Sequence, residues 1–155
     1  MNARYQTLRL SHGGPIATGE HRVSRGVLWC VEDRILVLYA EGRASLEGAR
    51  WATEEMSRAI EMRAQLHNRR LMIGWSFENI EGYGPQVGMH FVQWFADERQ
   101  RLSRFMVYTR NPVLRMTARA ATVALPKSVA SFPASAEDFD RTLKGWADYI
   151  RSHRN

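Results

Sequence analysis

Apolar residues follow two alternating patterns along the chain: short continuous runs, and longer stretches with an apolar residue every three or four positions. The short runs have the length and the β-forming composition of strands. Glu32 and Asp33 separate the first two runs, which predicts a hairpin. The five predicted strands lie at residues 26–31, 34–40, 70–75, 104–109 and 129–132.

The periodic stretches predict four helices, each with one apolar face. Ser45, Asn111 and Ser135 are residue types that cap helix starts, and Pro85 suits a first helical turn. The helices are predicted over residues 46–66, over residues 86–102, from residue 112 to the proline at 126, and from residue 136 onward. The expected buried faces are Ala49, Ala52, Met56, Ala59 and Ile60 on the first helix and Val87, Phe91, Trp94 and Phe95 on the second. For the third helix, we expect the buried face to consist of Val113, Met116, Ala120, Val123 and Ala124.

The order of these elements, ββαβαβαβα, predicts the α/β fold class. Alternating strands and helices favour parallel neighbours, so we expect a single mixed, mostly parallel sheet of about five strands with about four helices. Residues 1–22 show no clear period and are interpreted as a partly ordered N-terminal arm. Residues 23–155 are expected to form one domain, which suits a chain of 155 residues.

Composition narrows the classes of function. No apolar stretch is long enough to span a membrane and no secretory leader is visible, so a cytoplasmic location is expected. The lone cysteine, Cys30, lies in an apolar run, which predicts a buried core thiol. The net charge is +6, but most arginines lie beside acidic residues. This pattern predicts a solvated mixed-charge surface and argues against specific nucleic-acid binding.

Four segments carry a family resemblance. They are residues 35–42 before a helix, residues 71–73 before a loop and helix, residues 105–108, and Phe132 followed by Ser135-Ala136-Glu137-Asp138. In this order they resemble the STAS (sulfate transporter and anti-sigma-factor antagonist) domain over residues 22–152, and especially its stand-alone bacterial, SpoIIAA-like relatives. The resemblance implies a STAS-like fold and a non-enzymatic regulatory or protein-interaction role.

One feature of that family is missing from this sequence. Phosphorylated members carry an Asp-Ser-type motif where the helix after the third strand begins. Here that place reads Glu81-Gly82-Tyr83-Gly84-Pro85, and Tyr83 is its one hydroxyl amino acid. The kinase-controlled serine switch therefore does not carry over, and phosphorylation is not assigned to any residue.

Two candidate surfaces remain. The predicted loop from Ser76 to Pro85 follows the carboxyl end of a strand, where ligands of open α/β sheets bind. It is either a partner- or ligand-binding loop or a plain connection, and its candidates are Ser76, Phe77, Glu78, Asn79, Glu81 and Tyr83. Arg110, Arg115 and Arg119 form either a basic face for an acidic partner, phospholipid headgroup or RNA, or a solvated helix face. Trp51 falls off its helix stripe, which indicates an interface or partial burial under the N-terminal arm.

Catalytic and metal-binding patterns are missing: the sequence has no His-x-x-x-His, Cys-x-x-Cys or Gly-x-Ser-x-Gly. We therefore expect no enzyme, no metal and no cofactor. The first functional hypothesis is an interaction module with a protein partner and possible homodimerisation. The alternative is a small-ligand or lipid-binding domain of the same fold, and the third is weak nucleic-acid binding through an arginine-rich surface.

Overall fold

A computed structural model describes residues 14–21, 24–67 and 69–154 of the chain. Their strands form one mixed sheet whose spatial order equals the chain order. The first three strands pair antiparallel, and the third to the sixth pair parallel. The strands are β1 (Gly14–His21), β2 (Ser24–Glu32), β3 (Ile35–Ala44), β4 (Leu71–Tyr83), β5 (Leu102–Tyr108) and β6 (Ala130–Ser131).

In these described ranges, four α-helices cover the sheet: α1 (Leu46–His67), α2 (Pro85–Glu98), α3 (Pro112–Ala121) and α4 (Ala136–Ser152). The three predicted caps are confirmed. The Ser45 hydroxyl accepts a hydrogen bond from the Gly48 amide, the Asn111 side chain accepts from two amides of α3, and Ser135 accepts from Asp138. The second helix ends before Leu102, which was predicted to lie in it. Leu102 instead opens β5 and is buried.

The sheet separates two hydrophobic cores. Parallel strands joined by right-handed crossovers place the connecting helices on one face, and α1, α2 and α3 share a face here. The second face is covered by α4. β3 supplies both cores: Leu36 and Leu38 point to the three-helix face, and Ile35 and Val37 point to α4. Because both faces of β3 are buried, its sequence is a continuous apolar run.

Two strands differ from the sequence-based prediction. β1 occupies residues 14–21, which were assigned to the arm, and it adds a sixth strand; residues 1–13 lie outside the described residues. The segment predicted as a loop from Ser76 to Pro85 is strand up to Tyr83, because it pairs with β3 as far as Ala44. Pairing with β5 stops at Ser76. The last part of β4 therefore has one neighbour and exposes polar residues such as Asn79 and Glu81, which makes it resemble a loop in the sequence.

The predicted buried face of the third helix is wrong. Val113, Met116 and Val123 are 64%, 71% and 79% exposed, and Ala120 and Ala124 are exposed as well. The helix has a second stripe with equal helical spacing, and this second stripe faces the sheet. Its smaller residues let the helix approach closely, which periodicity alone does not reveal. The inward residues are Leu114, Thr117, Ala118 and Ala121.

Candidate functional site

An apolar pocket lies on the three-helix face, toward the carboxyl ends of β3, β4 and β5 and beneath α1, α2 and α3. Its volume is about 80 Å³. This is the edge of an open α/β sheet at which ligands bind. Among the described lining residues none is acidic, basic or a histidine, and the largest are Trp51, Trp75, Phe77, Tyr83, Phe91, Phe95 and Phe105.

Trp75 of β4 organises the floor of the pocket. Its ring stacks on Phe77 with centroids 5.2 Å apart and meets Phe105 edge-on at 5.1 Å. Phe91 of α2 lies 4.8 Å away. The indole Nε1–H donates to the Met56 sulfur at 3.1 Å. Because aromatic contacts surround the ring and its polar atom is engaged, Trp75 is held in one orientation.

Trp51 of α1 forms one wall, and two glycines make room for it. A Cβ atom at Gly19 or Gly26 would lie 2.6 Å or 2.8 Å from the indole ring. Contacts that short are not tolerated, so β1 and β2 need glycine where the ring lies against them. The sequence left Trp51 either at an interface or partly buried under the N-terminal arm. In the structure it is partly buried, beneath β1, which lies in the segment predicted as that arm.

The polar groups around the pocket form hydrogen bonds within the fold. The Tyr83 and Thr117 hydroxyls form a hydrogen bond that links the end of β4 to α3. The Thr109 hydroxyl accepts from the Asn111 amide at 3.2 Å. Burial raises the pKa of the Tyr83 phenol, because desolvation disfavours the charged form. The site is thus uncharged and suited to an apolar guest.

The predicted candidates on β4 are spread over different environments. Phe77 and Tyr83 line the pocket. Ser76 is buried, and strand alternation turns it to the opposite face from Trp75 and Phe77. Glu78 forms an ion pair with Arg110 at 2.7 Å. Asn79 and Glu81 are exposed, so the six predicted residues do not converge on one centre.

The three arginines of the predicted basic face also lie in different surroundings. The pKa of Arg110 is raised, first by a hydrogen bond with Tyr108 and then by the nearby Glu78 carboxylate. Arg115 donates to the Thr109 carbonyl at 3.4 Å. The guanidinium of Arg119 lies 4.6 Å from the centroid of Phe132. Arg115 and Arg119 therefore remain together on α3, whereas Arg110 is bound to Glu78 of β4.

The sequence predicts several pocket residues as ordinary members of the hydrophobic core. Phe91 and Phe95 were assigned correctly to the inner side of a helix, but a residue that lines a void has the same periodicity as one that fills a core. A signal that points to the pocket is the density of aromatics. Residues 75–95 contain Trp75, Phe77, Tyr83, Phe91, Trp94 and Phe95.

Other kinds of site find no support in the described part of the chain. No group of three or more His, Cys, Asp or Glu side chains there is placed to hold a metal ion. No helix in the same residues has the length and apolar character to cross a membrane. Cys30 is half-buried, and its thiol donates to the Glu32 carbonyl at 3.1 Å.

Comparisons with known proteins bear on the fold. No family model matches the chain, and no curated protein matches it. Among solved structures it is similar to an uncharacterized protein of the DUF3478 family from Shewanella loihica PV-4, described as having a SpoIIAA-like fold. The TM-score is 0.54 at 12% identity, over 86% of this chain and 95% of that one. The predicted SpoIIAA-like α/β fold is confirmed, while the regulatory role, the protein partner, the homodimer and the cytoplasmic location stay predictions.

Proposed function

We propose that this chain is a binding module for a small, largely apolar ligand, held between the sheet and helices α1, α2 and α3. The observation that carries the proposal is the void of about 80 Å³ among aromatic side chains. Protein interiors contain few voids larger than a water molecule. An unfilled apolar void forgoes dispersion contacts and lowers stability, and a ligand bound only by the folded chain restores it.

The size of the pocket restricts the ligand. A cavity of about 150 Å³ encloses a benzene molecule, so the pocket of about 80 Å³ holds only one end of a larger molecule. Half-buried lining residues such as Ser45, Tyr83 and Thr117 mark where the rest would emerge. The ligand class that fits is a molecule with a slim apolar end, such as an acyl chain, and a polar end at this rim.

Binding, as opposed to catalysis, is supported by the chemistry of the lining. The hydroxyls of Ser45, Thr109 and Thr117 each already take part in a hydrogen bond within the fold. The nearby imidazole of His90 is 2.7 Å from the Thr53 hydroxyl, outside the lining. A catalytic site needs a base or nucleophile aimed at a reacting atom, and the proposed role requires neither.

The experiment is calorimetric titration of the full chain with alkanoates of increasing length, from hexanoate to dodecanoate. We expect saturable binding that tightens with chain length until the pocket is filled. Ala118→Leu places a larger side chain in the pocket and should weaken binding at least about tenfold. Ala120→Leu makes the same change on the exposed side of the same helix and should leave affinity unchanged.

The two variants also separate loss of the pocket from loss of the fold. Filling a void raises stability in favourable cases, so Ala118→Leu should melt no lower than the wild-type chain. The proposal is wrong if the wild-type chain binds no alkanoate, or if both leucine variants bind as the wild type does. Native mass spectrometry of the purified protein would then identify any ligand retained from cells.

A further inference from the structure

The outer side of α3, continued by the 3-10 turn Thr122–Ala124, carries an apolar stripe that faces solvent. Val113, Met116 and Val123 are each more than 60% exposed. Their spacing of three and seven residues puts them on one side of the helical segment, with exposed Ala120 between them. A contiguous aliphatic patch rimmed by polar residues marks an interaction site more often than a plain surface.

The stripe lies within the most positively charged segment of the chain. Residues 99–136 contain seven basic side chains and no Asp or Glu. This segment carries a charge of +7, whereas the rest of the chain, with 15 basic and 16 acidic residues, carries −1. The basic residues are Arg99, Arg101, Arg104, Arg110, Arg115, Arg119 and Lys127. A surface that covers the stripe therefore meets an excess of positive charge.

Two of these cations flank the stripe directly. Arg115 and Arg119 belong to α3 itself, and neither forms an ion pair with an acidic residue in the described ranges. Arg110, by contrast, is paired with Glu78. Positive charge beside an aliphatic stripe complements a surface that is anionic outside and apolar within.

We propose that the outer side of α3 docks on an anionic lipid bilayer. Val113, Met116 and Val123 enter the headgroup–acyl boundary, while Arg115 and Arg119 contact lipid phosphates. The stripe is aliphatic, whereas protein interfaces concentrate their binding energy in Trp, Tyr and Arg. The exposed stripe contains no aromatic side chain, and nearby aromatics such as Tyr83 and Phe91 line the pocket instead. This docking goes beyond ligand binding and does not require an occupied pocket.

The geometry of α3 connects the surface with the pocket. Leu114, Ala118 and Ala121 line the pocket from the inner side of the helix, directly behind the stripe. One helix thus separates the apolar void from the surface that would meet acyl chains. A ligand with an acyl end, taken from the bilayer, would have a short path to the pocket.

The test is co-sedimentation of the full chain with vesicles of phosphatidylcholine alone or mixed with phosphatidylglycerol. We expect binding to the mixed vesicles that weakens as salt is raised. Each cation near an anionic surface contributes roughly fivefold. The double variant Arg115→Gln/Arg119→Gln should therefore bind about thirtyfold more weakly. Val113→Ser/Met116→Ser should lose binding at least about tenfold.

Matched controls come from exposed residues elsewhere. Met62→Ser on α1 and Arg58→Gln/Arg141→Gln remove an exposed methionine and two exposed arginines away from α3, and both should bind as the wild type does. Ala118→Leu, which closes the pocket, should still bind vesicles, so a failed ligand proposal and a failed docking proposal are distinguishable.

The docking proposal is wrong if the wild-type chain does not bind mixed vesicles, or if the controls lose as much binding as the α3 variants. Self-association that depends on the stripe, without vesicle binding, would assign the surface to a second copy of the chain.

Discussion

The two faces of the sheet receive alternate side chains of the same strands, yet they are covered in different ways. Of the described helices, α4 covers one face, where Phe139 and Leu143 are fully buried. Gly74 permits this contact, because a Cβ there would lie 3.1 Å from Phe139. The other face is covered by three helices and keeps a pocket of about 80 Å³. Phe139 thus packs closely against the strands on the α4 face, whereas the three-helix face has room for a guest.

Different anchors hold the helices on the two faces. The carboxylate of Glu32 in β2 is fully buried and is bound by Arg151 at 2.8 Å and by Arg154 at 2.5 Å, which fixes the end of α4. On the opposite face, small residues such as Gly48, Ala52 and Ala118 line the pocket. We therefore expect the α4 face to contribute more to stability and the three-helix face to bind the ligand. Substitutions that are matched across the sheet can test this division.

The largest expected difference comes from removing one phenylalanine on each face. Phe139→Ala leaves a closed cavity and should lower the free energy of unfolding by about 3 to 5 kcal/mol. Phe91→Ala enlarges a pocket that already exists, so the transfer loss of about 2 kcal/mol should dominate. Chemical denaturation of both variants measures the difference. Equal losses would show that the two faces do not differ in packing, and alkanoate titration should show weaker binding only for Phe91→Ala.

A smaller effect is expected where Trp51 lies against the strands. Gly26→Ala brings a Cβ to 2.8 Å from the ring and should cost about 1 to 3 kcal/mol. In a Trp51→Leu background the same change should be nearly neutral, because the ring that it meets is gone. A double-mutant cycle by urea denaturation measures this coupling. Additive losses would mean that Gly26 matters for its backbone alone.

The smallest expected effect concerns pH. Because burial raises the pKa of the Tyr83 phenol, the folded chain holds that proton more firmly than the unfolded chain does. The resulting stabilisation is fully present below the unfolded pKa of about 10 and is lost as pH rises through the folded pKa. Thermal melts across this range should show a shallower alkaline loss for Tyr83→Phe than for the wild type. Exposed Tyr149→Phe is the control, and an identical alkaline slope for the wild type and Tyr83→Phe would contradict this assignment.

The sequence predicts those parts of the fold in which local pattern and burial agree. The apolar run of β3 is buried on both faces, and the stripe Ala52, Met56 and Ile60 on α1 is buried as expected. The cap at Asn111 is also local, because one side chain satisfies amides a few residues ahead. Such elements need no knowledge of distant neighbours.

The candidate site depends on distant neighbours, so less of it could be predicted. The orientation of α3 is decided by whether Ala118 or Met116 approaches the sheet, and both lie on acceptable helical stripes. The last residues of β4 are strand only because β3 lies beside them. A void is harder still, since it is the space that Phe91 and Trp51 leave unfilled, and no single residue encodes it.

The agreement between strand order and chain order has a consequence for the path of folding. Each new strand can join the sheet beside the strand that precedes it in the chain, so the segment closed at each step contains at most one α-helix. α4 follows all six described strands in the chain. Until it docks, the side chains of Trp29, Val37 and Met106 on its face of the sheet stay exposed. Chains truncated before α4 should therefore aggregate, because docking of α4 is what covers this face of the sheet.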